Sequence, residues 1–133
     1  DMSNLKIIWI NTIVFFFGWN AIMLAGADFP PPIGFIWVVL LISMLDFIQY
    51  KYLQYFLPQL IKRKHNLFVK NLIFFVTGGM AVSILILATR YKITLEASIY
   101  DIIIWIAVFI IIGIIYGIVF WFFNSFLLRV FNK

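Results

Sequence analysis

The chain has 133 residues, of which 65% are apolar and 11% charged, with a net charge of +5 and no cysteine. Soluble domains carry roughly 25% charged residues, and a chain of this size leaves about a third of its surface wet, so the composition suits lipid as solvent. The missing cysteine excludes disulfides, thiolate nucleophiles and Cys-ligated metals, and positive charge placed beside apolar segments suits anionic headgroups rather than nucleic acid.

A helix needs about 20 predominantly apolar residues to bridge a bilayer, and four segments qualify. Residues 7–27 carry no charge. This segment is too long for a signal-peptide core and has no clean cleavage site after it, so it is expected to stay as the first span. Phe29-Pro30-Pro31-Pro32 reads as a stiff outer connection, with Pro32 opening the second helix. The second span, 33–53, contains Asp46 and, near its end, Lys51. Pro58 is expected to end this helix because it removes an intrahelical donor, leaving 59–70 as a basic cytoplasmic loop. Residues 71–89 form an uncharged third span. Ser98-x-x-Asp101 has the form of a capping box ahead of the fourth, 102–128, which exceeds the bilayer's needs and should tilt or run along the interface beyond Asn124. The expectation is all-α: one integral membrane domain over 1–133, built as two hairpins.

Orientation follows the basic residues, which favour the cytoplasmic side. Lys6, Lys51, Lys62, Arg63, Lys64, Lys70, Arg129 and Lys133 lie at the termini and the middle connection, against Arg90 and Lys92 in the other two. Both termini are therefore expected inside. Trp and Tyr prefer the headgroup level: Trp9, Tyr50, Tyr52, Tyr55 and Trp121 fall at the inner interface of this scheme, and Trp19, Trp37, Tyr91, Tyr100 and Trp105 at the outer.

Polar groups in hydrocarbon are costly and mark sites by default. Asp46 is the one acid inside a predicted span, about one and a half turns before Lys51. Asn11, Lys70, Asn71 and Asn124 with Ser125 fall at similar depth on the other helices. Two readings stay open: a polar pocket with Asp46 as its charge and Lys70 or a ligand cation as its partner, or interhelical hydrogen bonding worth around 0.6–2 kcal/mol per bond. Lys51, Lys62, Arg63, Lys64 and Arg129 are expected to meet headgroups or a partner. His65 stands alone after 62–64, without the further ligands a metal needs.

Small residues let helices approach closely where lipid gives no apolar drive to associate. Gly113 and Gly117 form a GxxxG step, and Gly79 with Ser83 and Ala21 with Ala25 are small-xxx-small steps. They serve an internal bundle or a dimer. No nucleophile–base pair, carboxylate pair, phosphate loop or metal constellation is present, so neither an enzyme nor a cofactor is expected.

The two halves share features at corresponding places. Residues 11–18, Asn-Thr-Ile-Val-Phe-Phe-Phe-Gly, align with 71–78, Asn-Leu-Ile-Phe-Phe-Val-Thr-Gly. Asp46 precedes Lys51 as Asn124 precedes Arg129. This arrangement resembles the GtrA-like family of small four-span bacterial membrane proteins, which tends to close its second and fourth helices with Asn-Phe-x-x-x-Arg and aromatics. Asn124, Arg129 and Phe131 match the later copy, and Asp46, Phe47, Lys51 and Phe56 the earlier; Ile10-Asn11-Thr12 is similar to the family's first-helix pattern. Asp at 46, Lys at 51 and Ser at 125 depart from it. The resemblance implies translocation of a polyprenyl-phosphate-linked sugar alongside a glycosyltransferase.

The expectation is thus a non-enzymatic integral protein of a bacterial cytoplasmic membrane. It either translocates a small or lipid-linked substrate, as an oligomer because four helices enclose little space, or binds a membrane partner as an accessory, regulatory or immunity-type protein.

Overall fold

The computed structural model describes residues 2–26, 34–63 and 65–131, the side chains of Met2, Tyr91 and Ile93 excepted. The triple proline and Lys64 lie outside these. The described residues form α1 (Met2–Ala25), α2 (Phe35–Ile61), α3 (Leu67–Thr89), α4 (Tyr91–Glu96) and α5 (Ile99–Phe131). All but α4 are long and apolar enough to cross a membrane.

The helices overrun the spans that hydropathy marks. Helical hydrogen bonding does not stop where a run of apolar residues does, so α3 begins at Leu67 and α5 runs from Ile99 to Phe131. Pro58 does not end α2, as its chemistry suggests it should, but lies inside the helix. A proline removes one donor, and that loss is met here by continued burial, since Leu57 and Leu60 on either side are both buried while Pro58 itself is exposed. The helix closes only at Lys62, whose N–H donates to Pro58 O at 3.2 Å. Arg63 follows in the left-handed region at φ 50°, the conformation in which helices commonly end. Asn66, at φ 62°, is a residue type that tolerates this conformation, and its carbonyl accepts from Lys70 N at 3.0 Å to start α3. Residues 59–61 and 67–70, expected in the basic loop, are therefore helical, as the ends of α2 and α3.

Residues 1–63 with 127–133 make one compact unit and 64–126 a second. In the first, α1 and α2 pack as an antiparallel pair, with Trp9 edge-on to Tyr50 at 5.9 Å between ring centroids. Ile42, Asp46, Gln49, Leu53, Phe56 and Leu60 are buried along α2. Their alternating steps of four and three residues trace the narrow seam of a coiled-coil-like contact. On α1, Ile7, Ile8 and Asn11 are buried, and no described α1 residue beyond Asn11 is. The tight part of this hairpin is therefore the N-terminal half of α1 with the C-terminal half of α2.

In the second unit, α3 and α5 also run antiparallel. Phe68 meets Trp121 edge-on at 5.1 Å, and Phe75 meets Tyr116 at 4.9 Å and Phe120 at 4.8 Å. At two points the backbones themselves touch. A Cβ on Gly79 would stand 2.6 Å from Phe109 O, and one on Gly113 2.6 Å from Phe75 O. Both positions require glycine for the approach. At Gly117 the nearest atom is the Leu72 Cδ2 at 3.0 Å, a side-chain end with more freedom to move. Ser83 is fully buried and donates to Met80 O at 2.8 Å within its own helix. Ala21 and Ala25 on α1, by contrast, are exposed.

α4 is tied to the end of α3 by the Thr94 hydroxyl, 2.7 Å from Leu87 O. Asp101 N donates to Ser98 Oγ at 3.2 Å, so Ser98 caps the N-terminus of α5 through one of the donors the first turn leaves over.

Candidate functional site: a polar seam in the first hairpin

The buried polar residues of the described chain are Asn11, Asp46, Gln49, Asn71, Ser83 and Asn124. Asn11, Asp46 and Gln49 belong to the first unit, and Asn71, Ser83 and Asn124 to the second.

In the first unit Asp46 and Gln49 are three residues apart, hence neighbours on one helix face, and occupy successive positions of the α2 seam between Ile42 and Leu53. The Trp9–Tyr50 contact sets the register of the hairpin. With a rise of 1.5 Å per residue in both helices, Asn11 lies level with about Ile48 and Gln49, and Asp46 about 3 Å further along. Asn11 and Asp46 are thus brought to one stretch of the seam, and Gln49 joins them.

Asn11 donates through Nδ2 to Ile7 O at 2.8 Å. Asp46 is 6% exposed, and its Oδ1 is buried with no hydrogen-bond partner among the described residues. A carboxylate oxygen left this way between packed helices is unusual, because an unsatisfied buried charge costs several kcal/mol. The bases on the same two helices, Lys6 and Lys51, are both exposed. Lys51 Nζ sits 5.6 Å from the centroid of the Phe47 ring, and Phe47 is 60% exposed, which puts that cation on the outer side of α2.

In the second unit the asparagine amides donate to backbone carbonyls. Asn71, fully buried on α3, donates across the helix pair to Gly117 O on α5 at 2.9 Å. Asn124, also fully buried, donates to Phe120 O in its own helix at 2.9 Å. Lys70, considered at the sequence level as a partner for Asp46, is exposed in the first turn of α3. Lys62, Arg63, His65 and Arg129 are exposed as well.

Gln49 is the residue that sequence reasoning passed over. Its signal was available, since it falls on the Asp46 face at i+3, but its place next to Tyr50 and Lys51 makes it look like an interfacial residue. No group of three His, Cys, Asp or Glu side chains positioned for a metal ion occurs among the described residues.

Comparison with protein-family models, with curated proteins and with solved structures finds no match for this chain.

Proposed function

We propose that this chain is a non-enzymatic integral membrane protein that translocates a small polar substrate, with Asp46, Asn11 and Gln49 as its polar contacts. The observation that carries this reading is Asp46, a seam residue 6% exposed whose Oδ1 lacks a partner among the described residues. Interhelical bonding alone predicts satisfied groups, as at Asn71. A carboxylate held at a cost between packed helices is a common mark of a pathway for ions or polar substrates.

The distribution of bases supports a topology with both termini cytoplasmic, and the exposed Lys62, Arg63 and Arg129 suit anionic lipid headgroups. A bacterial cytoplasmic membrane is the setting these features fit. The GtrA-like resemblance adds a polyprenyl-phosphate-linked sugar as the substrate to try first.

The test is transport by the purified chain in proteoliposomes. Asp46→Asn is expected to abolish it while the protein remains monodisperse and helical, and unchanged transport would overturn the reading. The alternative is an accessory or immunity-type protein, favoured by the exposed basic turn. It predicts co-purification with a membrane partner that is lost when Lys62, Arg63 and Lys64 are neutralised together.

A further inference from the structure

The exposed and buried faces of α2 exchange their chemistry along the helix. Ahead of Lys51 the exposed large side chains are Ile36, Trp37, Leu40, Met44, Phe47 and Ile48, all hydrophobic. The one exposed polar residue of that stretch, Ser43, returns its hydroxyl to Val39 O at 2.8 Å. The residues buried there are Ile42, Asp46 and Gln49, two of them polar. From Lys51 onward the arrangement is reversed. Leu53, Phe56, Leu57 and Leu60 are buried, while Lys51, Gln54, Tyr55, Pro58 and Ile61 are exposed, with Lys62 and Arg63 after them.

Water drives apolar side chains inward. Lipid tails exert no such drive between helices and penalise exposed polar groups instead. Polar residues in and apolar residues out therefore suit hydrocarbon, and the opposite arrangement suits water. α2 has one arrangement and then the other, and the change falls at Lys51. The Lys51 Nζ lies 5.6 Å from the centroid of Phe47, a contact that offsets the loss of water around a cation. Lys51 to Lys62 spans about 16 Å at 1.5 Å per residue, whereas one headgroup layer is about 5–8 Å deep.

We propose that the hydrocarbon boundary crosses α2 at Lys51, and that Lys51, Gln54 and Tyr55 form a surface for the phosphate of an anionic lipid. Spacings of three and four residues put these side chains on one face. Lysine supplies the charge, and the amide and the phenol supply donors for phosphate oxygens. No acid among residues 47–63 opposes the anion, and headgroup level is the ordinary place for an exposed tyrosine. The last two turns, ending at Lys62 and Arg63, stand in water and feel the anionic surface through its potential. The surface rests on α2 being a membrane span and not on transport through it.

The experiment uses the full chain in phosphatidylcholine vesicles containing phosphatidylglycerol. The chain has no cysteine, so single spin labels can be placed through Met44→Cys, Phe47→Cys, Gln54→Cys, Tyr55→Cys and Ile61→Cys, all at exposed positions. Collisions with oxygen report lipid, and collisions with a water-soluble nickel chelate report water. Oxygen is expected to dominate at 44 and 47, and the chelate to gain at 54 and 55 and dominate at 61. Oxygen dominance through 61 keeps the span and overturns the boundary. Chelate access at every position overturns the span and the surface with it. Protection of 54 and 55 from both reagents overturns the lipid as occupant in favour of a protein.

Spin-labelled phosphatidylglycerol and phosphatidylcholine then report which lipid the chain retains at its surface. A preference for phosphatidylglycerol is expected, reduced more by Lys51→Gln than by Lys62→Gln and reduced also by Tyr55→Phe. An equal or larger loss in Lys62→Gln overturns the phosphate surface. Loss of transport with this profile intact removes the translocation reading alone.

Discussion

The two long hairpins place similar residues at corresponding positions and hold together by different physics. The α3–α5 pair is joined backbone to backbone at Gly79 and Gly113, and Asn71 spans it with a hydrogen bond to Gly117 O. No glycine of α1 makes such an approach among the described residues. A Cβ on Gly18 would meet nothing within 4 Å, and contact comes from branched and aromatic side chains along a seam that includes Asp46 and Gln49. Asn11 aligns with Asn71 in sequence and donates to Ile7 O in its own helix. Asp46 aligns with Asn124, whose amide donates to Phe120 O, while Asp46 Oδ1 has no hydrogen-bond partner among the described residues. The unpartnered carboxylate oxygen lies in the pair held by side chains, not in the one joined backbone to backbone.

The largest expected break in this contrast is Gly113→Ala set beside Gly18→Ala. A methyl at 113 meets a carbonyl oxygen at 2.6 Å and should destabilise the protein by about 1–3 kcal/mol, the usual range for overpacking. The same change at 18 should be neutral or stabilising by about 0.5–1 kcal/mol through helix propensity. Denaturant unfolding in mixed micelles measures both, and equal effects would erase the distinction between the hairpins.

Next in size is the pair Asn71→Leu and Asp46→Leu. Removing the cross-helix donor should cost about 0.6–2 kcal/mol, leaving Gly117 O without it. Replacing the seam carboxylate by an apolar residue should leave stability unchanged or raise it, as replacement of buried charges often does. Chemical or thermal unfolding would show opposite signs, and a strongly destabilised Asp46→Leu would mean that the carboxylate is structural.

The smallest effect concerns the ring contact that sets the register of the first hairpin. A double-mutant cycle on Trp9→Leu and Tyr50→Leu should give a coupling of about 0.5–1.5 kcal/mol. A coupling of zero would remove the contact as a register pin and loosen the placement of Asn11 beside Asp46.

Much of the fold was legible because a run of 20 apolar residues has few alternatives to a helix when lipid is the solvent. The helix ends were not, because continued burial at Leu57 and Leu60 carries α2 past Pro58, and no local rule weighs one against the other. α4 is too short and too mixed in composition to stand out. For the site, Asn11 and Asp46 could be picked from rarity alone. Gln49 could not, because its burial depends on which face of α2 turns toward α1. The glycine steps announced close packing without naming the partner, and the choice of Phe75 and Phe109 as the backbones approached depends on the register of α3 against α5, which spacing within one helix does not contain.

Pro58 also has a consequence for how the end of α2 moves. Lacking an N–H, it leaves the carbonyl of Gln54 without its usual partner one turn later, so the last turn is tied to the body of the helix by fewer bonds. Amide deuterium exchange is expected to divide α2 at this point, slow through the residues around Asp46 and faster from Gln59 onward. The side chains of Leu57 and Leu60 keep the turn docked while its backbone opens. Lys62 and Arg63 are therefore expected to ride on a segment that opens more than two turns away from Asp46 and Gln49.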